Sequence, residues 1–197
     1  MTFFSYRSGD HRDLHSFPTR RSSDLLVAKQ PRFVTAAIDV LQQLQRDYPN
    51  HEYAQQANYH ISKLRRNASS PAENLASLEK LPRDNPNYLP ARYDICIIRY
   101  GQWKKLVAGK ERRESGNTVL AAVNLYLQAA GTDGKASQKV KVSSLAASVA
   151  LDRKPADVGL AETYLTRAAG WAGGLPYSSN VAAEFHYHAM RLAKATK

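Results

Sequence analysis

The side chains best suited to bind a metal lie close together near the end of the chain, at Glu184, His186 and His188. Carboxylate and imidazole groups can hold a transition metal, provided that several ligands converge on one point. On a helix Glu184 and His188 share a face, being four residues apart, whereas His186 points elsewhere. No third ligand is adjacent. We therefore expect an amphipathic surface helix here, with no metal site and no cofactor.

The sequence gives no local context for nucleophilic catalysis. Cys96 is the only cysteine, which excludes an internal disulfide and a cysteine-rich zinc site. It stands inside a strongly apolar run, where a thiol is usually a small buried hydrophobic group. The chain also lacks a Gly-x-Ser-x-Gly turn and a glycine-rich phosphate loop. We expect no catalytic residue and no enzymatic activity.

The charge balance is strongly basic, with 28 Lys and Arg against 17 Asp and Glu and a formal net charge of +11. Such a balance favours acidic partners or nucleic acid, although it does not bear on the fold. Basic residues could form a stripe that binds RNA, with tyrosines stacking on the bases. The candidates for this stripe are Lys63, Arg65, Arg66, Arg99, Lys104 and Lys105.

Two observations favour a protein scaffold over this RNA-binding alternative. The basic residues are dispersed among glutamates, and no pair of base-reading residues recurs from one unit to the next. We therefore expect a protein or peptide partner, preferably acidic, and not nucleic acid. No apolar run approaches 18 residues, so we also expect no membrane span.

Residues 1–25 differ from the rest of the chain. They contain no helical apolar stripe, and residues 11–25 resemble translated sequencing-adapter sequence. A disordered basic arm would have a similar composition. We expect that this segment does not contribute to the fold and that residues 26–197 form one helical domain. This domain keeps 24 basic and 14 acidic residues, because the first segment contains four Arg and three Asp.

The domain is organised around a repeat. Residues 38–54 recur 37 positions later as residues 75–91, with apolar residues at helical spacing followed by a break and a new start. The matched positions are Ile38, Leu41, Leu44, Asp47, Pro49, Asn50 and Ala54, which correspond to Leu75, Leu78, Leu81, Asp84, Pro86, Asn87 and Ala91. A period in the thirties without strand-like alternation indicates a helical solenoid.

Periodicity, prolines and caps predict about seven to eight antiparallel helices in an all-α superhelix. Ser70, Pro71 and Glu73 form a strong start signal for the third of them. We expect a solvated linker at 109–116, because its charged side chains alternate in sign between glycines. The predicted helices are 33–46, 51–66, 71–81, 88–107, 118–130, 135–151, 155–169 and 179–195.

A signature of three residues, at spacings of four and three, recurs along the chain. The four copies are Ala37, Leu41 and Leu44; Asn74, Leu78 and Leu81; Ala122, Tyr126 and Ala129; and Ala161, Leu165 and Ala168. With a proline five residues further on in the first two copies, this signature resembles the second helix of the tetratricopeptide repeat. The run from Tyr48, Pro49 and Asn50 through Tyr53, Ala54, Ala57 and Tyr59 resembles the repeats of bacterial members of that family. The tryptophan, Leu-Gly and tyrosine landmarks of the first helix are missing, so the repeats are divergent.

The resemblance implies a concave groove that is lined by the first helix of each repeat and takes an extended peptide or a partner helix. The candidate lining residues are Tyr53, His60, Tyr93, Tyr100 and Lys104. Aromatic side chains supply contact area with little loss of conformational entropy. Any one of these tyrosines could instead fill the core between repeats.

The resemblance also implies that the chain is the C-terminal piece of a longer bacterial protein, from the cytoplasm or the periplasm. It begins with a second-type helix, so the order is half a repeat, three whole repeats and a final first-type helix. We therefore expect Phe33, Val34, Ala37 and Leu41 to lie exposed. An apolar patch of this kind would permit self-association.

Overall fold

The computed structural model describes residues 31–65, 71–176 and 178–196, and over these ranges the chain is all-α, with eight helices and no strand. Residues 1–25, the cap at Ser70 and Arg66 lie outside the described residues. The helices are α1 (Pro31–Asp47), α2 (Glu52–Arg65), α3 (Pro71–Glu79), α4 (Tyr88–Lys105), α5 (Lys110–Ala130), α6 (Ala136–Leu151), α7 (Val158–Ala172) and α8 (Asn180–Ala195).

The predicted linker at 109–116 is wrong, because α5 begins at Lys110 and continues without a break for 21 residues. Its first turns are solvated, as the alternating charges suggested, but they are helical. Gly116 lies inside the helix and is buried. A Cβ built there would lie 3.1 Å from Val149 Cγ1 and 3.3 Å from Trp103 Nε1. Glycine therefore allows α5 to approach α4 and α6 closely, and it does not break the helix.

The boundaries of α7 also differ from the expected 155–169. The helix starts three residues later, where the backbone N–H of Leu160 donates to Asp157 Oδ1 at 3.1 Å. It then continues to Ala172, three residues beyond the predicted end. An N-cap carboxylate satisfies one of the free N–H groups of the first turn. The cap at Asp157 therefore fixes the start of this helix, rather than Pro155.

Packing arranges the helices in two layers. Each helix contacts the next one along the chain, and in addition α4 contacts α6 and α6 contacts α8. Contacts between alternate helices are typical of an α-α superhelix, in which one helix of every unit lines a common layer. We call the layer of α4, α6 and α8 the inner layer, and the layer that contains α3, α5 and α7 the outer layer.

The core lies around α6, which contacts α4, α5, α7 and α8. Residues 142–151 of α6 are all buried. Small side chains such as Ala146 and Ala147 let the neighbouring helices come close, while Tyr126 of α5 and Tyr164 of α7 fill the larger spaces. Both tyrosines keep a polar contact at the ring end, Tyr126 Oη to Gln138 Oε1 at 3.2 Å and Tyr164 Oη to Asn124 Oδ1 at 2.8 Å.

The expectation that Val34 is exposed is wrong, because only 3% of its surface is accessible, although Phe33 is 43% exposed. Val34 and Gln45 are eleven residues apart, which on a helix places them on the same face. Gln45 Nε2 donates to Asn58 Oδ1 of α2 at 3.1 Å. Val34 therefore lies on the face of α1 that packs against α2, and the adjacent Phe33 points away from that face.

None of the described helices combines the length and the apolar character that are needed to cross a lipid bilayer.

Candidate binding surface

Helix α4 carries three of the residues proposed to line a groove, and they share one face. Tyr93, Tyr100 and Lys104 follow one another at spacings of seven and four, which a helix aligns. Tyr100 is half-buried, and its hydroxyl lies 3.2 Å from Ser148 Oγ of α6. This contact joins two helices of the inner layer. Tyr100 therefore lies in that layer, where its hydroxyl links one repeat to the next.

Tyr93 and Tyr100 of α4 are both part of the packing between helices. The ring of Tyr93 packs against Tyr126 of α5, with 5.9 Å between the ring centroids. The ring of Tyr100 lies 5.3 Å from that of Trp103. Burial raises the pKa of Tyr100, and the charges of Glu184 and Asp152 add to this effect. Each ring thus contributes to the core on one side and leaves part of its surface open on the other.

Tyr53 and His60 lie two turns apart on α2 and are both exposed. The ring of Tyr53 stacks on His51, with the centroids 5.5 Å apart, and 64% of its residue surface is accessible. Partial burial lowers the pKa of His60, with Lys63 as a second cause. Lys104 is likewise exposed near the end of α4. Of the five candidates, Tyr53, His60 and Lys104 are therefore open to a partner, and Tyr93 and Tyr100 are shared with the core.

The basic residues proposed for an RNA-binding stripe are distributed over different faces. Arg99 and Lys104 are five residues apart on α4, so they point in widely different directions. Arg99 pairs with Glu79 of α3 at 2.5 Å. Lys63 lies over the ring of Tyr59, 4.7 Å from its centroid. The residues that one stripe would require are thus partly engaged by the protein itself.

A charged network in the inner layer was missed by the sequence analysis. Asp152, at the end of α6, accepts from Arg191 of α8 at 2.5 Å and from Arg112 of α5 at 3.2 Å. Lys141 of α6 pairs with Glu184 of α8. The two residues of each pair are 39 to 43 positions apart along the chain. These ion pairs form because α6 packs against its neighbours, so the sequence alone does not reveal them.

Of Glu184 and His188, considered above as metal ligands, only Glu184 has an ion pair in this network, and the buried Nδ1 of His188 has no hydrogen-bond partner among the described residues. Glu184 is bound to Lys141, and His188 is buried with 4% of its surface accessible. The prediction of a surface helix is wrong at His188, because α8 packs on α6 with the His188 face turned inward. Burial lowers the pKa of His188, although the nearby Glu184 acts in the opposite direction. Within the described residues, no three His, Cys, Asp or Glu side chains are grouped as metal ligands would be.

Cys96 is fully buried in α4, as the apolar run predicted. Its Sγ lies 3.2 Å from the carbonyl oxygen of Arg92. Burial raises the pKa of this thiol to about 12, so the nucleophilic thiolate is scarce at neutral pH.

A pocket of about 320 Å³ opens where the turn between α4 and α5 meets the end of α6. Trp103 forms part of its wall, and the guanidinium of Arg112 lies 4.2 Å from the centroid of that ring. Arg112 also donates to the carbonyl oxygen of Leu106 at 2.5 Å and to Asp152. The arginine is thus fully engaged in holding the turn in place, and the pocket is a consequence of this arrangement.

Compared with known proteins, the chain matches no protein-family model, and no curated protein is significantly similar to it.

Proposed function

We propose that this chain is a protein-interaction module that binds an extended peptide or a partner helix along its inner layer. The observation that supports this proposal is the direct packing of α4 on α6 and of α6 on α8. It gives several repeats one continuous surface, and solenoids use extended surfaces of this kind for binding. The resemblance to tetratricopeptide repeats, carried by the four signature copies, favours the same function.

The binding surface in this proposal continues from α4 of the inner layer onto α2, which carries two of the exposed candidates. Tyr53 and His60 supply exposed ring surface, and Lys104 supplies a positive charge beside Tyr100. Rigid aromatic side chains next to a charged group are frequent anchors in protein interfaces. Because the chain carries a net charge of +11, its preferred partner is acidic.

A library of displayed 12-residue peptides, selected on the purified chain, would test this function. We expect the enriched peptides to carry Asp or Glu and to lose about tenfold in affinity with Tyr53→Ala, because truncating an interface anchor commonly costs more than about 1 kcal/mol. Tyr48→Ala is the matched control, since Tyr48 is 62% exposed and Tyr53 is 64% exposed. Tyr48 lies in the turn after α1.

Lys104→Glu should weaken the same peptides, and Lys154→Glu, at another exposed lysine, should not. Enriched peptides that bind both tyrosine variants and both lysine variants equally well would contradict the proposal.

A further inference from the structure

A second groove lies in the outer layer, between α3 and α5. Its floor is formed by α4, one wall by α5 and the other side by Glu79 at the end of α3, and it has a volume of about 420 Å³. A neighbouring concavity of about 380 Å³ shares Leu125 with it and lies beside Tyr88. We call the two concavities together the outer groove, because both lie along α5 and meet at Leu125. Its α5 wall consists of Thr118, Ala121, Ala122, Leu125, Gln128 and Ala129.

The groove exists because α3 is short. Helix α3 has 9 residues and α5 has 21, so α3 is about 13 Å long and α5 about 31 Å. The residues of the α5 wall recur at spacings of three and four, which makes them one face of a helix. That face is left open, and Leu125 is 46% exposed at its centre. A stripe of this kind normally faces another helix.

Arginines surround this apolar face. Arg92 and Arg99 lie on the floor of the groove, and Arg83 lies at its far end. Glu79 is the single acidic residue in the lining. The carboxylate of Glu79 already accepts from Arg99 at 2.5 Å. The groove thus presents a surplus of positive charge, with three arginines and one glutamate in its lining.

We propose that the groove between α3 and α5 docks an acidic amphipathic helix of a partner protein. Its apolar face lies on Ala121 and Leu125, and its carboxylates pair with Arg83 and with Arg92. The α5 wall from Thr118 to Ala129 measures about 17 Å, which corresponds to about three turns of helix. A helix in an apolar groove is a recurrent mode of recognition, and complementary charge fixes which partner is accepted. This surface is separate from the inner layer, so one chain could hold two partners.

The probe for this proposal is a fluorescein-labelled peptide of 14 residues. It has leucine at helical spacing on one face and glutamate on the other, and its counterpart has lysine in place of glutamate. We expect fluorescence anisotropy to show at least about tenfold tighter binding of the glutamate peptide, because like charges placed together oppose association. Raised salt should weaken the binding.

Two matched variants localise the binding. Ala121→Glu places a negative charge in the groove, whereas Ala169→Glu makes the same change at an exposed alanine of α7. We expect Ala121→Glu to weaken the glutamate peptide by about tenfold or more and Ala169→Glu to leave it unchanged. Leu125→Asn, which removes the exposed apolar centre, provides a second test if Ala121→Glu lowers the melting temperature.

Four outcomes would overturn the proposal. Equal affinity for the glutamate and lysine peptides would remove the role of charge, and equal binding by both alanine variants would place the peptide elsewhere. A mixed-sequence RNA oligonucleotide that binds more tightly than the peptide and is lost in Ala121→Glu would assign the groove to RNA. Self-association of the chain alone that Ala121→Glu abolishes would assign it to a second copy.

Discussion

Gly116 provides a sharp test of the packing between α4, α5 and α6. Any side chain at this position must enter the space between Val149 and Trp103, which lie 3.1 and 3.3 Å from the place of a Cβ. Gly116→Leu adds four carbon atoms there. Overpacking a well-packed core costs about 1–3 kcal/mol, and the better helix propensity of leucine returns about 0.8 kcal/mol. We therefore expect Gly116→Leu to lower the free energy of unfolding by about 2 kcal/mol. This value takes the upper end of the overpacking range, because even a Cβ requires the neighbouring side chains to shift.

Gly101 supplies the matched control for this change. It also lies inside a helix, α4, but no atom is found within 4 Å of its Cβ position. Gly101→Leu should therefore gain about 0.5–1 kcal/mol from propensity alone. The assay is urea unfolding followed by circular dichroism, with thermal melts in parallel. The expected fall in melting temperature for Gly116→Leu is about 4–8 °C, at about 2–4 °C for each kcal/mol in a domain of this size.

A Gly116→Leu variant at least as stable as the wild type would contradict this packing. It would mean that residues 109–116 do not pack on α4 and α6, and the solvated linker expected from the sequence would then be correct.

Three further outcomes are expected. His188 is buried with a lowered pKa, so the unfolded chain takes up a proton at this histidine before the folded chain does, as the pH falls through about 6.5. The unfolding free energy should therefore be level above about pH 7.5 and decrease below about 6.5. His188→Gln should reduce this decrease, whereas His186→Gln, at an exposed histidine, should not. Tyr164→Phe leaves Asn124 without its 2.8 Å partner and should cost about 1 kcal/mol in urea unfolding, since a typical hydrogen bond contributes about 0.5–1.5 kcal/mol; no measurable loss would contradict the contact. Phe33→Asp should reduce self-association in light scattering at little cost in stability, because Phe33 is 43% exposed. Val34→Asp should detach α1 from α2, because Val34 is only 3% exposed. A larger loss of stability with Phe33→Asp than with Val34→Asp would mean that the opposite face of α1 packs on α2.

Much of the fold could be predicted from the sequence because its signals are local. The breaks at Pro49 and Pro86 and the apolar residues at spacings of three and four are properties of short segments, and they gave the number of helices and most of their bounds. The segment at 109–116 could not be read in this way. Its helix depends on Gly116 fitting against Trp103 and Val149, which are 13 and 33 residues away.

The binding surface was less predictable, for the same reason. The sequence selected Tyr100 by type and spacing, but its hydroxyl contact with Ser148 depends on how α4 meets α6. Asp152 gave no signal at all, since its role follows from two arginines on other helices. The outer groove depends on the difference in length between α3 and α5. Alternating charges at the start of α5 suggested a linker and concealed that difference.

Hydrogen exchange measured by mass spectrometry shows directly whether the partner binds to the inner layer. The measurement compares the chain alone with the chain saturated by a peptide from the displayed library. Amides in contact with a bound ligand are protected, because their opening becomes less frequent. We expect added protection in α2 and α4, at residues 53–60 and 93–104, and little change in α3 and α7. Protection confined to α1, α3, α5 and α7 would contradict binding of the peptide to the inner layer, because it would place the partner on the outer layer.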